Sequence, residues 1–311
     1  MIGRARRRLA HALDRRFEAL HHRVDRVAGR VEEVVSSTDQ LAATTAELRE
    51  VVERVASRVH EEISPALRLM AGRDAESRRL LEAARRDPEY GLAFEEPEPL
   101  VTAILPTHGR ADLLRSRSLP AVLAQTHPRL QVLVIGDSAD SDAEAVVEEI
   151  GDPRAEWVAM TQRYVYPDPH RHWHAASTLT RNEGYRLARG RWLFDADDDD
   201  SLPADAVERL LEAARERRFE AVQGVIRHRL PDGTTQDEVP AAPDRLPLKG
   251  ALVHAHLRFF AREHIASAFG VPGDWFRGER MVRAGVRIGI VDDVTYEYYP
   301  SNLWLPSVRR A

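Results

Sequence analysis

Arg191-Trp-Leu-Phe-Asp195-Ala-Asp197-Asp198-Asp199-Asp200 is the stretch whose reading decides the fold. Its first half is a short apolar, β-rich run, and its second half packs aspartates together. Carboxylates this close repel one another unless a cation compensates. If the run is a parallel strand, the acids lie at its carboxyl end, where open α/β sheets bind ligands. The same texture recurs upstream. Leu100-Val-Thr-Ala-Ile-Leu105 is an apolar run that stops at Pro106, and a helix is expected over about 111–125. Leu130-Gln-Val-Leu-Val-Ile135 is a second buried strand, followed by a helix over 141–150 and a third strand, Ala155–Met160. A helix over 175–189 leads into the acidic strand, and another covers 204–217. Strands alternating with helices predict an α/β protein with a doubly wound, mostly parallel sheet. Past residue 219 the pattern is mixed. Pro231-Asp-Gly233 reads as a hairpin turn, and strands near 251–259, 287–291 and 294–299 surround a helix near 275–284.

Residues 1–86 have another character. From about 10 to 63 apolar residues return every 3.5 positions, with Phe17, Val24, Val31, Val52 and Val59 at a and Leu20, Val27, Val34, Leu41, Leu48 and Val55 at d. That period predicts a long helix of coiled-coil type. Thr38 and Thr45 weaken its middle, and Arg16, Arg23 and Arg30 at g face no acidic e residues, so the charges single out no parallel homodimer. Ser64-Pro65 is expected to end or kink the helix, with a short helix over 74–86. The stretch 87–99, DPEYGLAFEEPEP, loses periodicity and reads as a linker. The α/β domain then spans 100–311, in halves of 100–203 and 204–311.

Composition sets limits. The 311 residues carry a net charge of -5, and nothing global points to nucleic acid. There is no cysteine, so disulfides and thiolate metal sites are excluded and a metal would be held by oxygen or imidazole. Lys249 is the only lysine. The arginine-rich start lacks the apolar core of a signal peptide, and no run approaches the ~18 apolar residues of a membrane span. The expected compartment is the cytoplasm, with contact at a membrane surface through the basic N-terminus left open.

The motifs that could carry chemistry each have a plain alternative. Asp195–Asp200 suits a hard divalent ion that keeps positions open for phosphate oxygens; otherwise it is a solvated loop capping the helix at Pro203. Pro106-Thr107-His108-Gly109-Arg110 is a strand-to-helix turn that can offer backbone N–H groups, a hydroxyl and a ring to a nucleotide. Asp137, after the second strand, can accept from a base or ribose, or simply cap a helix. Arg181 can pair with a diphosphate or lie on the surface. The alternating His170, His172 and His174 suit either a metal or a pocket-side loop in which Trp173 stacks on a sugar.

Taken in order, VTAILPTHGR, LAQTHPRLQVLVIGDSAD and TRNEGYRLARGRWLFDADDDDSLP resemble the nucleotide-binding half of the family 2 glycosyltransferases with the A-type fold. Gly273-Asp274-Trp275 is similar to the family's Glu-Asp-Trp segment. The resemblance covers about 100–300 and leaves out the N-terminal helix. It implies an inverting transfer from a nucleotide-diphosphate sugar to a saccharide, lipid-linked or protein acceptor, assisted by Mn²⁺ or Mg²⁺. Asp197 and Asp199 match the metal-binding Asp-x-Asp pair, with Asp197 also near the ribose and Asp198 contributing to the nucleotide site. Thr107, His108 and Asp137 fall at the base, Pro106 and Arg110 belong to the nucleotide-sugar site, Arg181 lies near the nucleotide, and Asp274 is at the general base.

The chain also departs from that pattern. A single acid, Asp137, follows the second strand, Gly273 replaces a glutamate, and Tyr298-Tyr299-Pro300-Ser301 lacks the histidine that relatives use as a metal ligand. His254 is a candidate replacement. These departures keep a second reading open, a non-catalytic nucleotide-binding scaffold. A nucleotidyltransferase would want a glycine-rich, basic signature near the first strand, which PTHGR does not supply. For the N-terminal helix, homo-oligomerisation, docking of a partner protein and membrane contact all remain.

Overall fold

The structure is a computed structural model that describes residues 2–137, 141–161, 175–240 and 248–300. The chain divides after Leu67 into two units.

The first unit is helical. From Val24 onward, helix α1 (Ile2–Arg58) carries its heptad residues in solvent: Val27 is 61% exposed, Val34 65%, Leu41 68% and Leu48 60%. The Thr38 and Thr45 hydroxyls donate to the carbonyls of Val34 and Leu41 at 2.7 Å, so they are satisfied within the helix. Ser64-Pro65 does not end the helical pattern. A π turn (Val59–Ile63) leads directly into α2 (Ser64–Arg86), with Ser64 N–H donating to the Val59 carbonyl. Pro65 falls in the first turn of α2, where a missing N–H is tolerated, and the widened turn before it makes room for the ring.

The second unit is built on one sheet. Its strands are β1 (Val101–Thr107), β2 (Leu130–Gly136), β3 (Ala155–Ala159), β4 (Trp192–Asp195), β5 (Ala221–Arg229), β6 (Thr235–Glu238), β7 (Leu252–His254) and β8 (Ile288–Tyr298). Their order is β3-β2-β1-β4-β7-β5-β6, with β8 beside β5. The first four run parallel, β7 is antiparallel to both neighbours, β6 is antiparallel to β5, and β8 is parallel to it. Helices α4 (Ala111–Leu113), α5 (Leu119–Leu123), α6 (Ser141–Ile150), α7 (Thr178–Leu187), α8 (Ala206–Arg217) and α9 (Gly273–Ala284) flank it, after the short α3 (Leu92–Glu95). Because β1 lies between β2 and β4, the chain leaves it in one direction and returns in the other. The carboxyl ends of β1 and β4 therefore border a crevice.

Some boundaries differ from expectation. Pro106 lies inside β1, because the ladder with β4 ends at Ile104↔Asp195 and nothing on that side needs its N–H. The helix over 111–125 is split by a π turn (Leu114–Ser118). The expected strands at 287–291 and 294–299 are the single β8, whose register against β5 shifts near Val225. The expected strand near 251–259 shrinks to β7 and a 3₁₀ turn (Ala255–Leu257).

The stretch 87–99, expected as a linker, is packed. Tyr90, Ala93 and Phe94 are buried, the Trp192 indole donates to the Ala93 carbonyl at 3.0 Å, and the Tyr90 hydroxyl donates to Glu220 at 2.7 Å. Its turn residues hid three side chains that belong to the core.

Candidate active site

The site starts where β4 ends. Asp195 is buried at the strand's last position, accepting from the Tyr185 hydroxyl at 2.6 Å and Arg277 at 3.1 Å, with Arg181 and Arg262 each 3.6 Å away. Burial would raise its pKa; the guanidiniums of Arg181, Arg277 and Arg262 outweigh that and hold the carboxyl below its usual range. One buried charge thus ties α7 and α9 to β4. Beyond it the carboxyl groups alternate in exposure. Asp197 is 30% exposed and Asp199 20%, against 8% for Asp198 and 1% for Asp200.

Three cations meet these acids. Arg181 donates to the Ala196 carbonyl at 3.0 Å and pairs with Asp197. It reaches them because α7 lies tight on the sheet: a Cβ on Gly184, three residues on, would come within 2.5 Å of Ile104 Cγ2. Arg110 follows Gly109 (φ +62°) in the turn after β1 and contacts Asp198 at 3.1 Å and Asp199 at 2.6 Å. Lys249 Nζ lies 3.1 Å from Asp197 and 2.8 Å from Asp200.

The acids respond differently. At Asp197 burial is outweighed by Lys249 and Arg181, so its carboxyl is held well below the usual range. Burial dominates at Asp198 and Asp199 and raises both, with the charge of Asp197 adding to the effect. Asp200 is pushed up to about 6 by burial and by Asp197 and Asp199, against the pull of Lys249.

The remaining expected residues divide into two groups. Pro106 and Thr107 end β1, with Thr107 buried beside Asp198. His108 Nδ1 lies 3.2 Å from the Asp137 carbonyl, and Asp137 N–H donates to the Thr107 carbonyl, so these residues share the rim between β1 and β2. Asp274 sits apart, in the first turn of α9, accepting from Trp275 N–H at 3.0 Å. Burial raises its pKa, while Arg262 and Lys249 pull the other way and the Asp197 charge reaches it too. His254 is not a candidate metal ligand. It is fully buried, Nδ1 accepts from His256 N–H at 3.2 Å, Nε2 faces the Tyr90 carbonyl at 3.0 Å, and burial pushes its pKa down to about 4. Ser138, His170, His172, Trp173, His174 and Ser301 lie outside the described residues.

Residues 102–264 match the family model Glycosyl transferase family 2. The chain belongs to that family. Among relatives, the Succinoglycan biosynthesis protein ExoO of Rhizobium meliloti (strain 1021) is 32% identical over 116 residues, 37% of this chain and 30% of that protein. The Putative teichuronic acid biosynthesis glycosyltransferase TuaG of Bacillus subtilis (strain 168) is 24% identical over 155 residues, 50% of this chain and 58% of that protein. The chain therefore spans less than two thirds of either relative. Residues 1–349 of S. aureus TarS share the fold at TM-score 0.50 and 14% identity, covering 64% of this chain and 60% of that one.

The carboxylate oxygens of this candidate site would suit a divalent ion. Asp197 and Asp199 offer hard carboxylate oxygens from the two more open positions of the turn. No three His, Cys, Asp or Glu side chains among the described residues form a ready cage. An ion here would complete its shell with phosphate and water.

The sequence reading missed the roles of Lys249, Arg262, Arg277 and Tyr296, whose hydroxyl accepts from Asp197 N–H at 3.0 Å. Only Lys249 carried a signal, as the single lysine. The arginines look like any others in a chain this rich in them.

Proposed function

We propose that this chain transfers a sugar, with inversion, from a nucleoside-diphosphate sugar to an acceptor hydroxyl in the synthesis of a polysaccharide or glycoconjugate. The observation that carries this is the acidic turn at the end of β4, where two open carboxylates alternate with two buried ones beneath Arg110, Arg181 and Lys249. Fixed charges of both signs in one crevice suit a diphosphate and the cation that accompanies it.

The nucleotide base would lie toward Pro106, Thr107, His108 and Asp137, and the diphosphate toward Arg110, Arg181 and Asp198. Mn²⁺ or Mg²⁺ held by Asp197 and Asp199 would supply Lewis-acid neutralisation of the leaving diphosphate. Asp274 would accept the acceptor's hydroxyl proton as that oxygen attacks the anomeric carbon, while the bond to the diphosphate breaks and its electron pair leaves with the phosphate. Burial supports that role, because a raised carboxyl pKa makes a better base near neutral pH. A panel of nucleoside-diphosphate sugars with Mn²⁺, scored for transfer and hydrolysis, tests the reading. Binding without turnover of any donor would favour the non-catalytic scaffold, for which Gly273 in place of glutamate is the supporting feature.

The exposed heptad face of α1 supports self-association of the chain through that helix. No helix among the described residues is long and apolar enough to cross a membrane.

A further inference from the structure

Lys249 is held where it is by a backbone that few sequences adopt. Leu248 before it has φ +45° and Gly250 after it has φ +60°. A branched, bulky residue at positive φ is strained and persists only where its surroundings impose it. At Gly250 the imposing group is visible, since any Cβ there would collide with the Tyr296 ring. Tyr296 in turn accepts the Asp197 N–H, so the turn carrying Lys249 and the acidic turn are packed on the same side chain.

The ammonium is clamped from several sides. It lies 2.8 Å from Asp200, 3.1 Å from Asp197 and 3.8 Å from the centre of the Tyr298 ring. Asp200 is 1% exposed and also accepts Tyr299 N–H at 2.9 Å, so it is an anchor and not a ligand for an incoming molecule. The Asp197 side chain is 30% exposed and that of Lys249 21%, against 3% for Arg181. Of the two cations on Asp197, Lys249 is the more exposed. An ammonium is a compact point charge with three donors and binds phosphate in that capacity.

We infer that Lys249 is a resident cation for the donor's diphosphate, placed on the Asp197 side of the acidic turn, so that a nucleoside diphosphate binds this chain even when divalent metal is removed. The inference rests on the donor site proposed above and assigns a binding role to a residue outside the nucleotide-sugar motifs. A metal on Asp197 and Asp199 then adds to the rate of transfer more than to the hold on the nucleotide.

Calorimetric titration of the full chain with UDP, GDP, CDP and dTDP, each in Mn²⁺ and in EDTA, tests it. The nucleotide that binds in Mn²⁺ is expected to bind in EDTA within about ten-fold. Lys249→Met is expected to weaken binding in EDTA by about thirty-fold or more, and Lys249→Arg by much less, since truncating one partner of a charge pair that the bound nucleotide desolvates costs on that order. Loss of wild-type binding in EDTA overturns the inference without any variant. So does a folded Lys249→Met that binds in EDTA as tightly as wild type. If no nucleotide binds in either buffer, the donor site itself is wrong, and the inference falls with it.

Discussion

Burial raises the Asp274 carboxyl, and Arg262 and Lys249 only partly offset it. As a base it works deprotonated, so kcat/KM should climb with pH through a pKa above the ordinary aspartate value of about 3.9 and then level off. Asp274→Asn should remove that limb and lower transfer by about 10²–10⁴. Asp199→Ala, which removes one of the two open carboxylates, should cost at least as much, and transfer at near wild-type rate by that variant would dismiss its metal role. His254 makes a prediction about stability instead. The unfolded chain takes up a proton below about 6.5, whereas the folded ring does so only near about 4 because burial lowers it. Its contribution is therefore complete above pH 6.5 and fades as pH falls toward 4, by roughly 3 kcal/mol. Denaturant melts of wild type and His254→Phe across that range should show a shallower slope in the variant.

Helix α7 depends on one missing side chain. Gly184 lets it lie on β1 and β2, where a Cβ would come within 2.5 Å of Ile104 and 2.9 Å of Ile135. Overpacking of this kind costs about 1–3 kcal/mol. Gly184→Val should lower the melting temperature and, by lifting Arg181 away from Asp197, weaken nucleotide binding by more than the lost stability explains. An unchanged nucleotide affinity in a folded Gly184→Val would show that Arg181 does not need that depth. At this scale the sequence was legible where elements are regular. The runs at 101–105, 130–135 and 192–195 are strands buried on both faces, and they read as apolar apart from Thr102, Gln131 and Asp195. It was least legible at 87–99, where turn-forming residues concealed the buried Tyr90 and Phe94.

Among the described residues, most of the exposed large apolar side chains lie on the long helix. Val27, Val34, Leu41, Leu48 and Val55 are all more than half exposed along one heptad stripe. A stripe of that length in water favours pairing with another helix. Leu41→Glu with Leu48→Glu should therefore turn an oligomer into a monomer in light scattering at unchanged nucleotide affinity. If the doubly substituted chain keeps its oligomeric state, the helix serves something other than self-association. Truncation at residue 90 would be a poor substitute, since Leu81 and Tyr90 are buried in the second unit.

The sequence by itself determined the doubly wound strands, the long heptad helix and the acidic turn that ends β4, because each is written in local periodicity or in adjacent residues. Only the tertiary structure decided which cations face those acids. Arg110, Arg181, Lys249, Arg262 and Arg277 come from five separate segments, and a long-range charge pair leaves no spacing in the chain to read. The same holds for His254, whose neutral state is imposed by burial, against the pull of the Tyr90 carbonyl from far along the chain.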